Sequence, residues 1–268
     1  MRKYNPEGSS LRKDQLEMLK VLVAFSEICK QHNLKWWLCS GTLLGAARHK
    51  GFIPWDDDVD VTMLKKDYRK LEKILMNLNS DDYWYQCIKS DPEHINIFGV
   101  FRKKKDPVES TDRRSRYFKY QGVGLDVFCI EKTTRFASHM AKFCYKNMQH
   151  PTQYIKNKYL RRFLIKLVQL VNFIIFFPLA RLIGLFNPNG EYRYRLGSGF
   201  YDSKYFLQDI FPLSTLEFEG YEFPVPGNTD AYLTHMYGDW RKLPSEEQIK
   251  QSMHYPVYLE EIFGKQEM

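Results

Sequence analysis

The stretch LCSGTLLGAARHKGFIPWDDDVDVTM, residues 38–63, brings a glycine turn, an Arg-His pair and four aspartates into 26 residues. Its acidic end is the most informative. Asp58 and Asp60 alternate with Val59 and Val61, the period-two pattern of a strand. Successive strand side chains point to opposite faces, so both carboxylates project to one side. Asp56 shares that phase if the strand begins early enough; Asp57 does not. Like charges held side by side repel, and a hard divalent cation bound through carboxylate oxygens offsets the repulsion. A solvated acidic turn would not need the intervening valines, so the pattern points to a metal. Upstream, Gly41 follows the apolar run Trp36-Trp37-Leu38 and precedes Thr42, which predicts a strand turning into a short helix. Glycine lets backbone amides approach a phosphate, and a helix start favours anions. Arg48, followed by His49, can grip phosphate oxygens with two parallel hydrogen bonds. Together these features predict a nucleotide-diphosphate site.

Two further residues extend it. Asp126 sits inside VGLDVFCI (Val123–Ile130), an otherwise apolar strand. Burying a carboxylate there without a partner costs several kcal/mol, roughly. A metal shared with Asp58 and Asp60 would be such a partner; a strand-edge aspartate capping a turn is the bland reading. Arg102 immediately follows a predicted strand and is the first choice for a phosphate contact in the basic stretch 102–119. That stretch reads either as a solvated loop or as a flap over the donor.

The segment SGTLLGAARHKGFIPWDDDVDV closely resembles the signature of the LicD-type phosphotransferases. The resemblance is dense over residues 36–63, resumes more loosely at 123–130 and 211–254, and is absent from 131–200. It implies an α+β fold, a nucleotidyltransferase-like mixed β-sheet flanked by helices. It also implies transfer of a phospho-alcohol, phosphocholine foremost, from a CDP-alcohol such as CDP-choline to a sugar hydroxyl. The acceptor would be a cell-surface or lipid-linked glycan, such as lipopolysaccharide or capsule. Under that resemblance Asp58, Asp60 and Asp126 are catalytic, and with Asp56 they hold Mg2+ or Mn2+. Ser40, Gly41, Thr42, Arg48, His49, Arg102 and His254 contact the substrate, although a lone exposed histidine is the simpler reading of His254. Two alternatives stand beside it: nucleotidyl transfer releasing pyrophosphate, and a non-catalytic protein binding a glycan or membrane surface.

Composition agrees with an enzyme of anionic substrates. The 268 residues are 44% hydrophobic and 16% aromatic, with net charge +8. This is too apolar for disorder and suits a nucleotide, an acidic glycan or a lipid surface. No RNA-binding or helix-turn-helix signature accompanies the charge, so nucleic acid is not expected as a partner. Five scattered cysteines without CxxC pairing read as reduced core residues. With no apolar leader visible at the start, a cytoplasmic protein is expected, peripheral to the inner face of the membrane if it docks there.

The remaining elements follow from periodicity. Residues 10–32 predict an amphipathic helix capped by Ser10, and Asp67 is expected to cap a second helix reaching Leu78. Residues 83–88 and 95–101 predict antiparallel strands, and 218–225 a hairpin around Glu219-Gly220. A helix from Asn228 or Thr229 ends at Gly238. The chain divides into a catalytic core (1–132), an apolar and basic helical insertion (133–200) and a closing segment (201–268). Within the insertion, residues 163–186 are the most apolar. Their uncharged core, Leu167–Ala180, is short for a membrane span and is broken by Pro178. A buried helix pair is favoured there over an interfacial helix on an anionic leaflet.

Overall fold

A computed structural model describes residues 4–107, 115–185, 191–196, 203–253 and 256–264. The predicted mixed sheet flanked by helices is present. Helix α1 (Ser10–Gln31) is capped by Ser9, whose hydroxyl accepts the Arg12 amide; Ser10, the expected cap, is its first residue. Then come β1 (Trp36–Leu38), α2 (Ser40–His49), β2 (Asp60–Leu64), α3 (Lys65–Met76), β3 (Tyr83–Gln86), β4 (Gly99–Pro107) and β5 (Gly122–Thr133). Helices α4 (Arg135–Cys144), α5 (Lys158–Val171) and α6 (Phe177–Leu185) lead to β6 (Glu191–Tyr194) and α7 (Leu207–Ile210). The hairpin β7 (Ser214–Phe218) and β8 (Tyr221–Val225) precedes α8 (Thr229–Tyr237), α9 (Glu246–Ser252) and α10 (Pro256–Phe263).

The central sheet runs β1-β2-β5-β4-β3, with β6 pairing the far end of β5. Among the described strands only β2 and β5 pair in parallel, with Asp60 opposite Asp126 and Leu64 opposite Ile130. One face carries Tyr85, Phe101, Leu125 and Val127, all buried. It is covered by α1, through Phe25 against Phe101, and by α3, through the Tyr68–Tyr85 hydroxyl pair. The other face carries the alternate residues, Gln86, Val100, Arg102, Asp126 and Asp60. This face holds the site. A ladder of rings, Phe98–Phe128–Tyr194–Tyr205–Tyr232, fills its far end. All five cysteines are reduced and buried.

Several expectations need correction. Strand β2 starts at Asp60 rather than Asp58, because its ladder partners begin there: Asp126 on β5 and, one residue on, Leu38 on β1. Helix α3 begins at Lys65, with Leu64 at its cap and Asp67 already in its first turn, where a negative charge suits the helix dipole. Strand β4 lies later than 95–101, so Arg102 to Lys105 belong to the sheet and not to a loop. Their charges are used at its edge: Lys103 pairs with Glu17 and Asp106, and Lys104 donates to the Ser80 carbonyl. Arg113 and Arg114 lie outside the described residues.

The largest correction concerns the apolar helices. Lys158–Ile183 forms one helical run of 26 residues, long and apolar enough by length and composition to cross a membrane. It passes Pro178 because a wide turn at Asn172–Phe176 precedes it, which absorbs the missing backbone donor. The buried reading fails. Only 17% of its most apolar 18-residue window is buried, and Phe163, Leu167, Leu170, Ile174 and Leu179 face solvent. Composition cannot tell a core helix from a surface one when the apolar positions outnumber those that touch the body.

Candidate active site

The site begins where β2 starts, at Asp60, beside Asp126 inside the parallel strand β5. Register partners on neighbouring strands point to the same face, so Asp60 and Asp126 stand side by side. Backbone bonds fix them there. The Asp126 amide donates to the Val59 carbonyl at 2.9 Å, and the Cys39 amide to the Asp60 carbonyl at 3.2 Å. The Asp60 amide in turn donates to the Thr42 hydroxyl at 2.8 Å. Thr42 therefore ties the first turn of α2 to β2.

Asp60 is buried, and its carboxyl is held well above the usual carboxylate range. Burial is the main cause; the neighbouring charges of Asp58, Asp126 and Asp56 add to it, and a hydrogen bond from Ser40 opposes it. Four carboxylates thus share one field although Asp58 and Asp56 lie before the strand. Among the described residues, no three acidic, histidine or cysteine side chains are gathered closely enough to enclose a metal ion as they stand. The donor set is nonetheless the hard-oxygen type that Mg2+ takes, provided the half-buried Asp56, Asp58 and Asp126 side chains turn inward.

The predicted turn from a strand into a short helix is present, between β1 and α2. Helix α2 starts at Ser40, and Ser40 itself, not Gly41, adopts the left-handed conformation, with φ of 49°. A non-glycine residue held there is strained, and such strain gathers at functional positions. Gly41 serves another purpose. A Cβ on it would lie 2.6 Å from Asp56 Oδ2, so glycine makes room for the Asp56 carboxylate against the helix start. That placement suits the positive end of a helix dipole.

At the other end of α2, half-buried Arg48 donates to the Trp240 carbonyl at 3.1 Å and to His49 Nε2 at 3.0 Å. Burial lowers its pKa, and the nearby Asp56 charge opposes that. His49 packs edge-on against Trp55, and burial, with the adjacent Arg48, pushes its pKa down to about 4. It is a neutral imidazole near pH 7.

Arg102 stands on the same face as Asp126, but its guanidinium donates to Gln86 Oε1 at 2.9 Å and to the Gly122 carbonyl at 2.6 Å. It braces the turn into β5. His254 lies outside the described residues.

Two residues at the site escaped sequence reasoning. Gln15 on α1 is fully buried and donates to the carbonyls of Ile53 and Asp56, at 3.3 and 2.9 Å. It clamps the loop that delivers the aspartates. The signal was present: a glutamine within the buried stripe Leu11, Met18, Leu22. Tyr237 ends α8 beside the carboxylates. Its side chain is 45% exposed, yet burial around the hydroxyl and the charges of Asp56 and Asp60 push its pKa up, so the phenol stays protonated. A Tyr-Gly-Asp-Trp helix end gave no sign of this. A second clamp holds the same loop: Arg12 pairs with Glu219, 2.6 Å, and Glu219 accepts the Phe52 amide at 3.1 Å.

Comparison with known proteins bears on the family. Lipopolysaccharide cholinephosphotransferase LicD of Haemophilus influenzae is 29% identical over 260 residues, covering 90% of this chain and 95% of that protein. An uncharacterized protein of Rickettsia prowazekii is 39% identical over 75 residues, 28% of this chain and 27% of that one. The human ribitol 5-phosphate transferase FKRP is 46% identical over 41 residues, 15% of this chain and 8% of that one. The nucleotidyltransferase domain described as LicD/FKTN/FKRP matches residues 33–170, from the approach to β1 through nearly all of α5. With that match spanning half of its length, this protein is a transferase of the LicD family.

Proposed function

We propose that this enzyme transfers a phospho-alcohol, phosphocholine foremost, from a CDP-alcohol to a hydroxyl of a cell-surface or lipid-linked glycan. The observation that carries the reading is the Asp60–Asp126 pair, with Asp58 and Asp56 close enough for their charges to add to the effect of burial on Asp60. Likeness over most of the chain to a lipopolysaccharide cholinephosphotransferase supports the choice of substrate.

Asp58, Asp60 and Asp126, with Asp56, would hold Mg2+ or Mn2+. The cation would neutralise charge on the donor diphosphate and on the departing nucleotide. The chain's own groups do the rest. The first amides of α2 have no acceptor within the helix and bind phosphate oxygens at its positive end. The Tyr237 hydroxyl, kept protonated, donates to an oxygen of the diphosphate. Arg48 lies beside Asp56 and offers the second cationic edge. Asp126, half-buried, accepts the proton of the acceptor hydroxyl. The acceptor oxygen bonds to the phosphorus that carries the alcohol, the bond from that phosphorus to the bridging oxygen breaks, and CMP leaves. Five reduced, buried cysteines support a cytoplasmic setting for the reaction.

The test is CMP release from CDP-choline, CDP-ethanolamine, CDP-glycerol and CDP-ribitol, each with magnesium and a cell-glycan acceptor. CDP-choline is expected to turn over fastest. Faster release from CDP-ribitol would reassign the alcohol. Pyrophosphate release from a nucleoside triphosphate, with no CMP from any CDP-alcohol, would refute the reading.

A further inference from the structure

The run from α5 to α6 is held to the body at both ends by one face. Near its start, Arg161 is buried against Glu93 at 2.7 Å; near its end, Arg181 pairs with Glu131 of β5 at 3.4 Å. Between them Gln169 donates to the His94 carbonyl, and Phe177 and Ala180 pack on Ala137 and Ala141 of α4. Those two arginines are 20 positions apart in the chain, about 30 Å along a helix. A helix gripped along that whole length by a folded domain cannot also be enclosed by lipid along it. The opposite face is apolar and open: Phe163, Leu170 and Ile174 are 61, 56 and 64% exposed, and Phe136 and Phe143 of the adjoining α4 are 56 and 60% exposed.

The charge around this face has one sign. Between Glu131 and Glu191 the sequence holds 10 Lys and Arg and not one Asp or Glu. Lys142, Lys146, Lys156, Lys158 and Lys166 are exposed there. Two copies of such a face would repel each other. An anionic surface with an apolar interior complements both properties.

We propose that α4 and the α5–α6 run dock in the plane of an anionic lipid leaflet, with Phe163, Leu170 and Ile174 inserted below the headgroups and the lysines at their level. The docked helix is tied to β5, the strand that carries Asp126, so lipid attachment sets the orientation of the carboxylate face relative to the membrane.

The purified full chain is to be sedimented with vesicles of phosphatidylcholine alone and of phosphatidylcholine mixed with phosphatidylglycerol. Binding to the mixed vesicles, reduced by salt, is expected. Phe163→Ser with Ile174→Ser lowers partitioning by about a hundredfold, since both side chains leave the apolar phase. Lys158→Gln and Lys166→Gln lower it by about fivefold each. Both sets leave the melting temperature unchanged. Absence of wild-type binding, or variants that bind as wild type does, would overturn the proposal. So would a large loss of melting temperature in the serine variant, which would make the face core. A wild-type dimer that the serine variant dissolves would assign the face to a second copy instead.

Discussion

Two glycines of α2, four residues apart, make opposite demands on their surroundings, and replacing each by alanine separates site from scaffold. A Cβ on Gly41 would stand 2.6 Å from Asp56 Oδ2 and 3.3 Å from its Cγ. Restoring an ordinary contact of 3.4 Å requires a shift of about 0.8 Å. The atoms that must move are the far end of one side chain, which turns easily, while alanine gains about 0.5–1 kcal/mol of helix propensity. Stability should therefore change by less than about 1 kcal/mol. Activity should not be spared, because a carboxylate displaced by nearly 1 Å can cost about a hundredfold in rate. Gly45 is different. Its added Cβ would lie 2.4 Å from the Gly51 carbonyl oxygen and 3.2 Å from the Ile53 nitrogen, both backbone. That loop is clamped by Gln15 and Glu219 and yields poorly. Overpacking costs about 1–3 kcal/mol, so after the gain in propensity Gly45→Ala should lose about 1–2 kcal/mol, or roughly 2–8 °C of Tm. Urea melts beside CMP-release assays read both. Wild-type turnover in Gly41→Ala would refute a role for Asp56 in the site, and equal unfolding of both variants would refute the distinction between side chain and backbone.

The remaining expectations concern charge. Burial beside Asp58, Asp126 and Asp56 lets Asp60 keep its proton to higher pH in the folded chain than in the unfolded one. That preference stabilises the fold below the unfolded carboxylate value of about 4 and is lost as pH rises through the folded value. Asp60→Asn is expected to abolish turnover, match wild-type stability in acid and melt higher at neutral pH; a lower neutral melt would refute the like-charge account. Arg161 and Glu93 are 2 and 3% exposed, so Arg161→Leu strands a buried charge and should cost about 3 kcal/mol, the low end because Arg162 also reaches Glu93. Arg161→Leu with Glu93→Leu should recover much of that in urea melts, and no recovery would show that packing rather than charge sets the loss.

What the sequence revealed depended on whether a residue's role was local. Asp126 was legible because it interrupts an apolar strand, where a carboxylate needs a reason, and Asp60 because it alternates with valines. Asp58 was placed in the strand because alternation says nothing about where ladder partners run out. Gly41 was read as room for a phosphate, whereas the tertiary demand there is room for the Asp56 carboxylate, which a turn rule does not see. Arg102 looked like a phosphate ligand from its place after a strand, yet Gln86 and the Gly122 carbonyl, 16 and 20 residues away in sequence, occupy it. The 158–183 run shows the same limit at larger scale. Its apolar content was plain, but which face met the body depended on Glu93 and Glu131, residues outside it.

The clamp formed by Gln15 also bears on where this enzyme can be cut. The family match begins at residue 33, after α1 has ended. A fragment starting there would keep Asp56, Asp58, Asp60 and Asp126 and lose the helix whose Gln15 holds the Asp56 carbonyl, whose Arg12 anchors Glu219, and whose Phe25 covers the sheet. The span of the family match is thus smaller than the unit that folds, and a working catalytic fragment has to begin ahead of Ser9, the cap of α1.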